Sequence, residues 1–282
     1  MYQYTLPIIA GILIWTYIFG KPFYVAIRRA KIKAQPFPKH YRQIIKKRIP
    51  YFAQMPTDLQ LQLKKHILVF LAEKEFIGFE GIKINDDIRV TVATQACLLL
   101  LNRRTNYYPK LKTIAIYPSA FVKKAEQKQQ ISGQLEGSIN VVSNQESILA
   151  GESWDFGRIV LSWQDTVEGA KIPDDGANVV IHEFAHQLDQ QNGPANGFPR
   201  LSKTTNKNQW TDIMNREFYA LQQQKQYNQP SLLSYYGATN PAEFFAVASE
   251  VFFEQSTELY HQHNALYTQL KSYYRVDPIN WH

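Results

Sequence analysis

Residues 179–193 read VVIHEFAHQLDQQNG and contain the motif H-E-x-x-H at His182, Glu183 and His186. Because an α-helix advances about 100° per residue, two histidines four residues apart project from the same face. A single metal ion can bind between them, and the glutamate beside them can contact a water molecule on that ion. The stretch therefore predicts a metal site on a helix.

The residues around the motif favour a helix with defined ends. Residues 173–176 read PDDG and interrupt the chain before it, an apolar surface follows, and Gly193 suits a C-terminal cap. Asp189 falls on the stripe of the two histidines, where it is better placed to orient a histidine than to bind metal. The alternative is an amphipathic helix with two incidental histidines, but the apolar flanks and the capping signals favour the metal helix.

Composition limits the classes of protein to which the chain can belong. With 282 residues, 45% of them hydrophobic, it can bury a sizeable core. The single cysteine, Cys97, excludes an internal disulfide framework and a cluster of thiolate ligands. A zinc ion would therefore need histidine and carboxylate ligands.

The net charge of +7 originates in the N-terminal segment. Residues 1–57 contain ten Lys and Arg and no Asp or Glu, which leaves 21 basic and 24 acidic residues, a net of −3 (21 − 24), for residues 58–282. Because the larger part of the chain is mildly acidic, we expect no direct binding of nucleic acid.

The first 20 residues are uncharged and mostly apolar. They predict a membrane-spanning anchor over residues 1–27, followed by a basic juxtamembrane linker over residues 28–44 and the main domain over residues 45–282. Since basic residues collect on the cytoplasmic side, the main domain is expected in the cytoplasm. The alternatives are an N-terminal helix buried in the core or lying on a membrane, and a soluble cytoplasmic protein.

Four further segments have a clear hydrophobic pattern. Thr57–Glu75 and Ile88–Leu101 predict helices, whereas Leu111–Tyr117 and Arg158–Trp163 predict strands. Helices, mixed strands and a metal helix in this order indicate one α+β domain with a mixed β-sheet.

Two histidines leave a catalytic zinc ion short of a ligand, since such sites use three protein ligands and one water. A helix predicted to begin after Asn240 and Pro241, a capping residue and a first-turn proline, carries Glu243 and Glu250. Seven residues apart, the two glutamates share a face. We predict that Glu243, in the first turn, is the third ligand and that Glu250 holds a ligand in place, with the reverse assignment left open.

Three stretches resemble the Mlc titration factor A family of zinc metallopeptidases, and the resemblance extends over about residues 45–278. They are HEFAHQLD at residues 182–189, GESWDFGRIVLSWQD at residues 151–165 and YYGATNPAEFFAVASEVFF at residues 235–253. The resemblance implies a zincin-like α+β fold related to the catalytic domain of anthrax lethal factor, with a mixed sheet and an H-E-x-x-H active-site helix.

The resemblance also implies the residues of the site. One zinc ion per chain would have three protein ligands, His182, His186 and Glu243. Glu183 would act as general base, and Tyr236 matches the active-site tyrosine of the family, with Tyr235 as the alternative. Asp189 and Glu250 remain the residues expected to support the ligands.

The function implied is that of a zinc-dependent peptidase, of aminopeptidase type, that acts on a peptide or protein substrate. Members of the family also bind Mlc, a repressor of glucose-uptake genes, so the alternative is a regulatory protein that sequesters a transcriptional repressor. Because the founding members lack an N-terminal span, the predicted anchor is a departure from the family. It implies a single-pass protein of the bacterial inner membrane.

Overall fold

Helices dominate this fold. The computed structural model describes residues 20–119, 157–172, 174–202 and 206–281. Of these residues, 64% are helical and 6% lie in strands. The predicted α+β class with a mixed sheet is therefore wrong, because the strands form one small parallel sheet beside a mostly helical body.

The four segments predicted between residues 57 and 163 are confirmed as two helices and two strands. Helices of the described chain are α1 (residues 20–33), α2 (Lys39–Arg48), α3 (Thr57–Glu73), α4 (Asp86–Leu98), α5 (Trp163–Lys171), α6 (Val179–Asp189), α7 (Lys207–Gln226), α8 (Pro241–Glu254), α9 (Ser256–Gln262) and α10 (Asn264–Tyr274). Its strands are β1 (Glu75–Gly78), β2 (Thr113–Tyr117) and β3 (Arg158–Ser162). Short 3₁₀ turns are Pro50–Ala53, Gln190–Asn192, Tyr235–Ala238 and Pro278–Trp281.

The sheet has the order β1-β2-β3, and both pairings are parallel. The register places Ile114 of β2 opposite Phe76 of β1 and Ile159 of β3. Both isoleucines are fully buried, as expected of a parallel sheet enclosed by other elements. Residues 151–156, which carry part of the family resemblance, lie outside the described residues.

The N-terminal part of the fold also requires correction. A membrane-spanning helix was predicted over residues 1–27, but no helix within the described ranges is long and apolar enough to span a bilayer. Residues 1–19 of the predicted anchor lie outside those ranges. Helix α1, which includes residues 28–33 of the predicted linker, contacts α3, because the Arg29 guanidinium donates to both carboxylate oxygens of Glu73 at 2.7 and 2.9 Å.

Aromatic contacts hold the two helices that carry the predicted metal ligands. In α6, the Phe184 ring is buried against Phe70 and Tyr108, with ring centroids 5.6 and 4.7 Å away. In α8, the buried ring of Phe245 lies 6.3 Å from Trp210. Such fully buried rings are among the strongest contributors to a core, so each helix is held firmly in place. Helices α6 and α8 also pack directly against one another.

Asparagines define where these two helices begin. Asn178 precedes α6, and its Oδ1 accepts a hydrogen bond from the amide of Ile181 at 3.0 Å. Asn240 precedes α8, and its Oδ1 accepts from the amides of Ala242 and Glu243 at 2.9 and 3.0 Å. The predicted cap at Asn240 is confirmed, and it places Glu243 in the first turn of α8.

Gly197 lies in the loop that follows α6 and packs against Pro241, the first residue of α8. Its φ of +77° is left-handed, and an added Cβ would lie 2.3 Å from the carbonyl oxygen of Pro241. We expect Gly197→Ala to lower the free energy of unfolding by about 1–3 kcal/mol, measured by urea unfolding. Gly81→Ala is the matched control, because Gly81 has a similar φ of +82° but nothing lies within 4 Å of an added Cβ there. Equal losses in the two variants would contradict this account of the loop.

Candidate metal centre

Three side chains from α6 and α8 converge on one point. The Nε2 atoms of His182 and His186 lie 3.2 Å apart, and the Oε2 atom of Glu243 lies 3.0 and 3.3 Å from them. His186 is 1% exposed, while His182 and Glu243 are 13% and 12% exposed, so the point is reachable from one side. Histidine, cysteine, aspartate and glutamate side chains can all bind metal. Among the described residues, these three are the one group of such side chains whose ligand atoms lie close enough to share a metal ion.

The spacing of these atoms fits a zinc ion. Ligand atoms about 2.0–2.1 Å from a tetrahedral zinc ion are about 3.3 Å from one another. The three separations here, 3.0, 3.2 and 3.3 Å, are close to that value. Two imidazole nitrogens and one carboxylate oxygen are also donors that zinc prefers, so the residues present fit the ion.

Glu250 contacts the other side of the His182 ring. Its Oε1 atom lies 2.7 Å from Nδ1 of His182, and its Oε2 accepts a hydrogen bond of 2.6 Å from the backbone amide of Asn178. A histidine that binds metal usually gives its second ring nitrogen to a carboxylate, which fixes the orientation of the ring. Glu250 therefore directs Nε2 of His182 towards Glu243 and His186.

Asp189 contacts the loop that follows α6. It is fully buried, and its Oδ2 atom accepts hydrogen bonds of 2.7 Å from the backbone amides of Asn196 and Gly197. These bonds hold the loop that passes the start of α8. In the structure, the carboxylate that orients His182 is that of Glu250.

Carboxylates next to the two histidines shift the pKa values of the three side chains. Burial alone would lower the pKa of His182, but the charge of Glu250 and hydrogen bonds to Glu243 and Glu250 raise that pKa well above its usual value. Burial alone would raise the pKa of Glu243, but hydrogen bonds from His182 and His186 lower it to about 2. Burial lowers the pKa of His186. An ionised Glu243 beside a neutral His186 favours a bound cation at this point.

A cleft of about 450 Å³ opens beside this point. Glu183 lines it next to the two histidines, and the Tyr236 ring faces His182 with centroids 5.7 Å apart. The Tyr235 hydroxyl instead donates a hydrogen bond to the carbonyl of Gln229. The 3₁₀ turn that begins at Tyr235 thus brings Tyr236 to the cleft.

Two further residues of the site were missed from the sequence. Asn178 is 2% exposed, and its Nδ2 donates a hydrogen bond of 2.7 Å to Oε1 of Glu254, which is 3% exposed. An asparagine before an apolar helical run is a capping signal, and Glu254 follows Glu250 by one helical turn. These signals were available, but the contact joins residues 76 positions apart and needs the fold.

The Glu254 carboxyl group is expected to make stability depend on pH. Burial raises its pKa to about 9, so the folded protein keeps the group protonated while the unfolded chain ionises it near the ordinary value of 4.5. The stability contributed by the protonated Glu254 carboxyl group is therefore complete below about pH 4.5 and is lost as the pH rises towards about 9. Glu254→Gln, which stays neutral, should show a smaller fall in Tm between about pH 5.5 and 8.5. Thermal unfolding at both pH values tests this, with the exposed Glu258→Gln as control, and an unchanged fall would contradict it.

Sequence comparisons place this site in a known family. The model of the family described as glucose-regulated metallo-peptidase M90 matches residues 24–275. The chain belongs to this family. The M90 match includes α6, α8 and the 3₁₀ turn that carries Tyr236, so every residue of the candidate metal centre lies inside it.

Relatives of this M90 chain cover most of its length. A Synechocystis protein described as "Uncharacterized protein slr2042" is 39% identical over 275 residues, which are 97% of this chain and 96% of that protein. "Mlc titration factor A" of Klebsiella pneumoniae subsp. pneumoniae is 29% identical over 82% of this chain and 84% of its own length. "Mlc titration factor A" of Yersinia pestis is 28% identical over 82% and 83%. The resemblance to that family is confirmed.

Proposed function

We propose that this M90 chain is a zinc-dependent peptidase in which His182, His186 and Glu243 hold the ion. The observation that carries the proposal is the convergence of two Nε2 atoms and one Oε2 atom within 3.3 Å of one another at the edge of an open cleft. Membership of a metallopeptidase family supports the reaction class.

The general base would be Glu183. A bound zinc ion lowers the pKa of water and polarises the carbonyl of a peptide bond. Glu183 lines the cleft but lies off the stripe of His182 and His186, so its carboxylate would take the proton of the attacking water rather than bind the ion. The same group then delivers that proton to the departing amine, which completes the hydrolysis.

The charge of the cleft supports an aminopeptidase type of activity. Its described lining includes the carboxylates of Asp165, Glu168 and Asp175 and contains neither Lys nor Arg. A negative cleft raises the local concentration of cationic ligands, and the free amino terminus of a peptide is such a group. Hydrolysis of an amino-acid anilide with a free α-amino group, compared with its N-acetylated form, tests this preference.

Tyr236 would donate a hydrogen bond to the oxyanion that forms on the carbonyl carbon. Loss of one such donor typically costs about 10²–10³ in kcat. We therefore expect Tyr236→Phe to reduce kcat by about that factor, with KM and zinc content nearly unchanged. Steady-state kinetics and metal analysis on the same preparation measure the three quantities.

Tyr235→Phe is the matched control for that variant. Because the Tyr235 hydroxyl contacts the Gln229 carbonyl and the ring lies outside the cleft lining, its loss should leave kcat close to that of the wild type. If Tyr235→Phe lowers kcat by this factor and Tyr236→Phe does not, Tyr235 is the tyrosine that donates to the oxyanion.

A second candidate function is sequestration of a transcriptional repressor of the Mlc type. The name of the Klebsiella and Yersinia relatives, "Mlc titration factor A", favours it. A pulldown with purified Mlc would compare zinc-loaded protein with chelator-treated protein. Equal capture by both forms supports a binding function that is independent of the peptidase site, and no capture by either form opposes it.

A further inference from the structure

Asn178 lies where α5, α6 and α8 meet, and all of its polar groups are used. Its backbone amide donates to Oε2 of Glu250 at 2.6 Å, and its side-chain Oδ1 caps α6 through Ile181. Its Nδ2 donates to Oε1 of Glu254 at 2.7 Å and to the carbonyl of Gly169, at the end of α5, at 3.2 Å. One buried side chain therefore ties the metal helix to both neighbours.

These bonds form a continuous chain that ends at a proposed metal ligand. Glu254 holds the amide of Asn178, the backbone of Asn178 holds one oxygen of Glu250, and the other oxygen of Glu250 holds Nδ1 of His182 at 2.7 Å. Glu254 and Glu250 are one turn apart on α8, so they contact the same residue from one rigid element.

Close packing against α5 restricts the position of Asn178. Gly169 is packed so closely that an added Cβ would lie 3.0 Å from the Ala177 carbonyl and 3.1 Å from the Asn178 Cα. Close packing and hydrogen bonds to Glu254 and Gly169 together hold the side-chain amide of Asn178 in one orientation. The orientation of Glu250, and with it that of the His182 ring, depends on that position.

We propose that Asn178 is a positioning residue for the metal centre, which acts through Glu250 on His182, and that Glu254 is the hydrogen-bond acceptor that keeps it in place. The inference rests on the proposed zinc site. Outer partners of metal-binding histidines typically contribute about 10–100-fold to metal affinity. The pair therefore sets how tightly the protein holds its metal, although neither residue touches the ion.

The test compares two helix-capping asparagines. Asn178→Ser keeps a cap acceptor but is too short to reach Glu254, and Asn206→Ser changes the exposed cap of α7, whose Oδ1 accepts from Gln209 at 3.2 Å. Zinc affinity is measured by competition with a chelator on folded full-length protein, and the visible absorption of the Co²⁺-loaded protein reports the ligand geometry. We expect Asn178→Ser to weaken zinc binding about 10–100-fold and to change the Co²⁺ spectrum, and Asn206→Ser to change neither.

Variants of Glu254 keep the proposal testable if Asn178→Ser does not fold. Glu254→Gln retains an acceptor for the Asn178 amide and should keep the affinity within about twofold of the wild type, whereas Glu254→Met removes the acceptor and should reproduce the loss of about 10–100-fold. Wild-type affinity and spectrum in Asn178→Ser or Glu254→Met would overturn the proposal, as would an equal loss in Asn206→Ser. A wild-type protein that binds no zinc would instead refute the proposed function itself.

Discussion

Glu183→Gln is expected to bind one zinc ion per chain as tightly as the wild type and to hydrolyse peptides about 10²–10⁴-fold more slowly. The glutamine amide has nearly the same shape as the carboxylate but cannot accept the proton of the attacking water. Because Glu183 lies beside the histidine stripe, its charge is not needed to hold the ion. The substitution should therefore lower kcat.

The measurement pairs metal analysis with kinetics on one preparation. Glu258→Gln is the control, because Glu258 is an exposed residue of α9 and its loss should alter neither quantity. Peptidase activity at the wild-type level in Glu183→Gln would show that another group acts as base. Loss of zinc together with activity would mean that Glu183 supports the ion.

The second large effect is expected from Glu243→Ala, which should leave the protein nearly free of zinc. Only two histidines would remain, and the negative charge that faces both Nε2 atoms would be lost. We expect the affinity to fall by far more than the 10–100-fold typical of removing an outer partner. Zinc content after dialysis and competition with a chelator measure this loss.

Glu250→Gln is the matched comparison, because it separates the two assignments that the sequence left open. A glutamine there can still accept a hydrogen bond from Nδ1 of His182, so zinc affinity should fall by at most about 10–100-fold. If Glu250→Gln abolished zinc binding while Glu243→Ala retained it, the roles of the two glutamates would be reversed.

The two helices that carry the candidate metal centre could be predicted from sequence because their signals are local. Asn240 and Pro241 mark the start of α8, and the apolar residues around His182 and His186 mark α6. Glu243 and Glu250 of α8 share a face for the same reason, which is why a glutamate from that helix could be proposed as a ligand. These features need only the helical period and capping chemistry.

The fold class could not be read in the same way. Strands β1, β2 and β3 contain four or five residues each, and their parallel pairing depends on segments far apart in sequence. The residue Glu75 was assigned to the end of a helix but begins β1. A few short strands suggested a mixed sheet, whereas most of the described residues lie in helices.

The role of Asn178 was invisible for a related reason. Its capping function is local, but its bonds to Glu250 and Glu254 join residues more than 70 positions apart. Asp189 shows the limit of a purely local argument. It shares a stripe with the histidines, yet its carboxylate accepts from the backbone of the following loop.

The most direct test of the account is a crystal structure of the zinc-loaded protein with anomalous diffraction recorded at the zinc edge. We predict one strong peak per chain, about 2.0–2.2 Å from Nε2 of His182, Nε2 of His186 and a carboxylate oxygen of Glu243. A zinc-loaded protein with no peak there, or with a peak bound by other side chains, would contradict the proposal that these three residues form a catalytic metal centre.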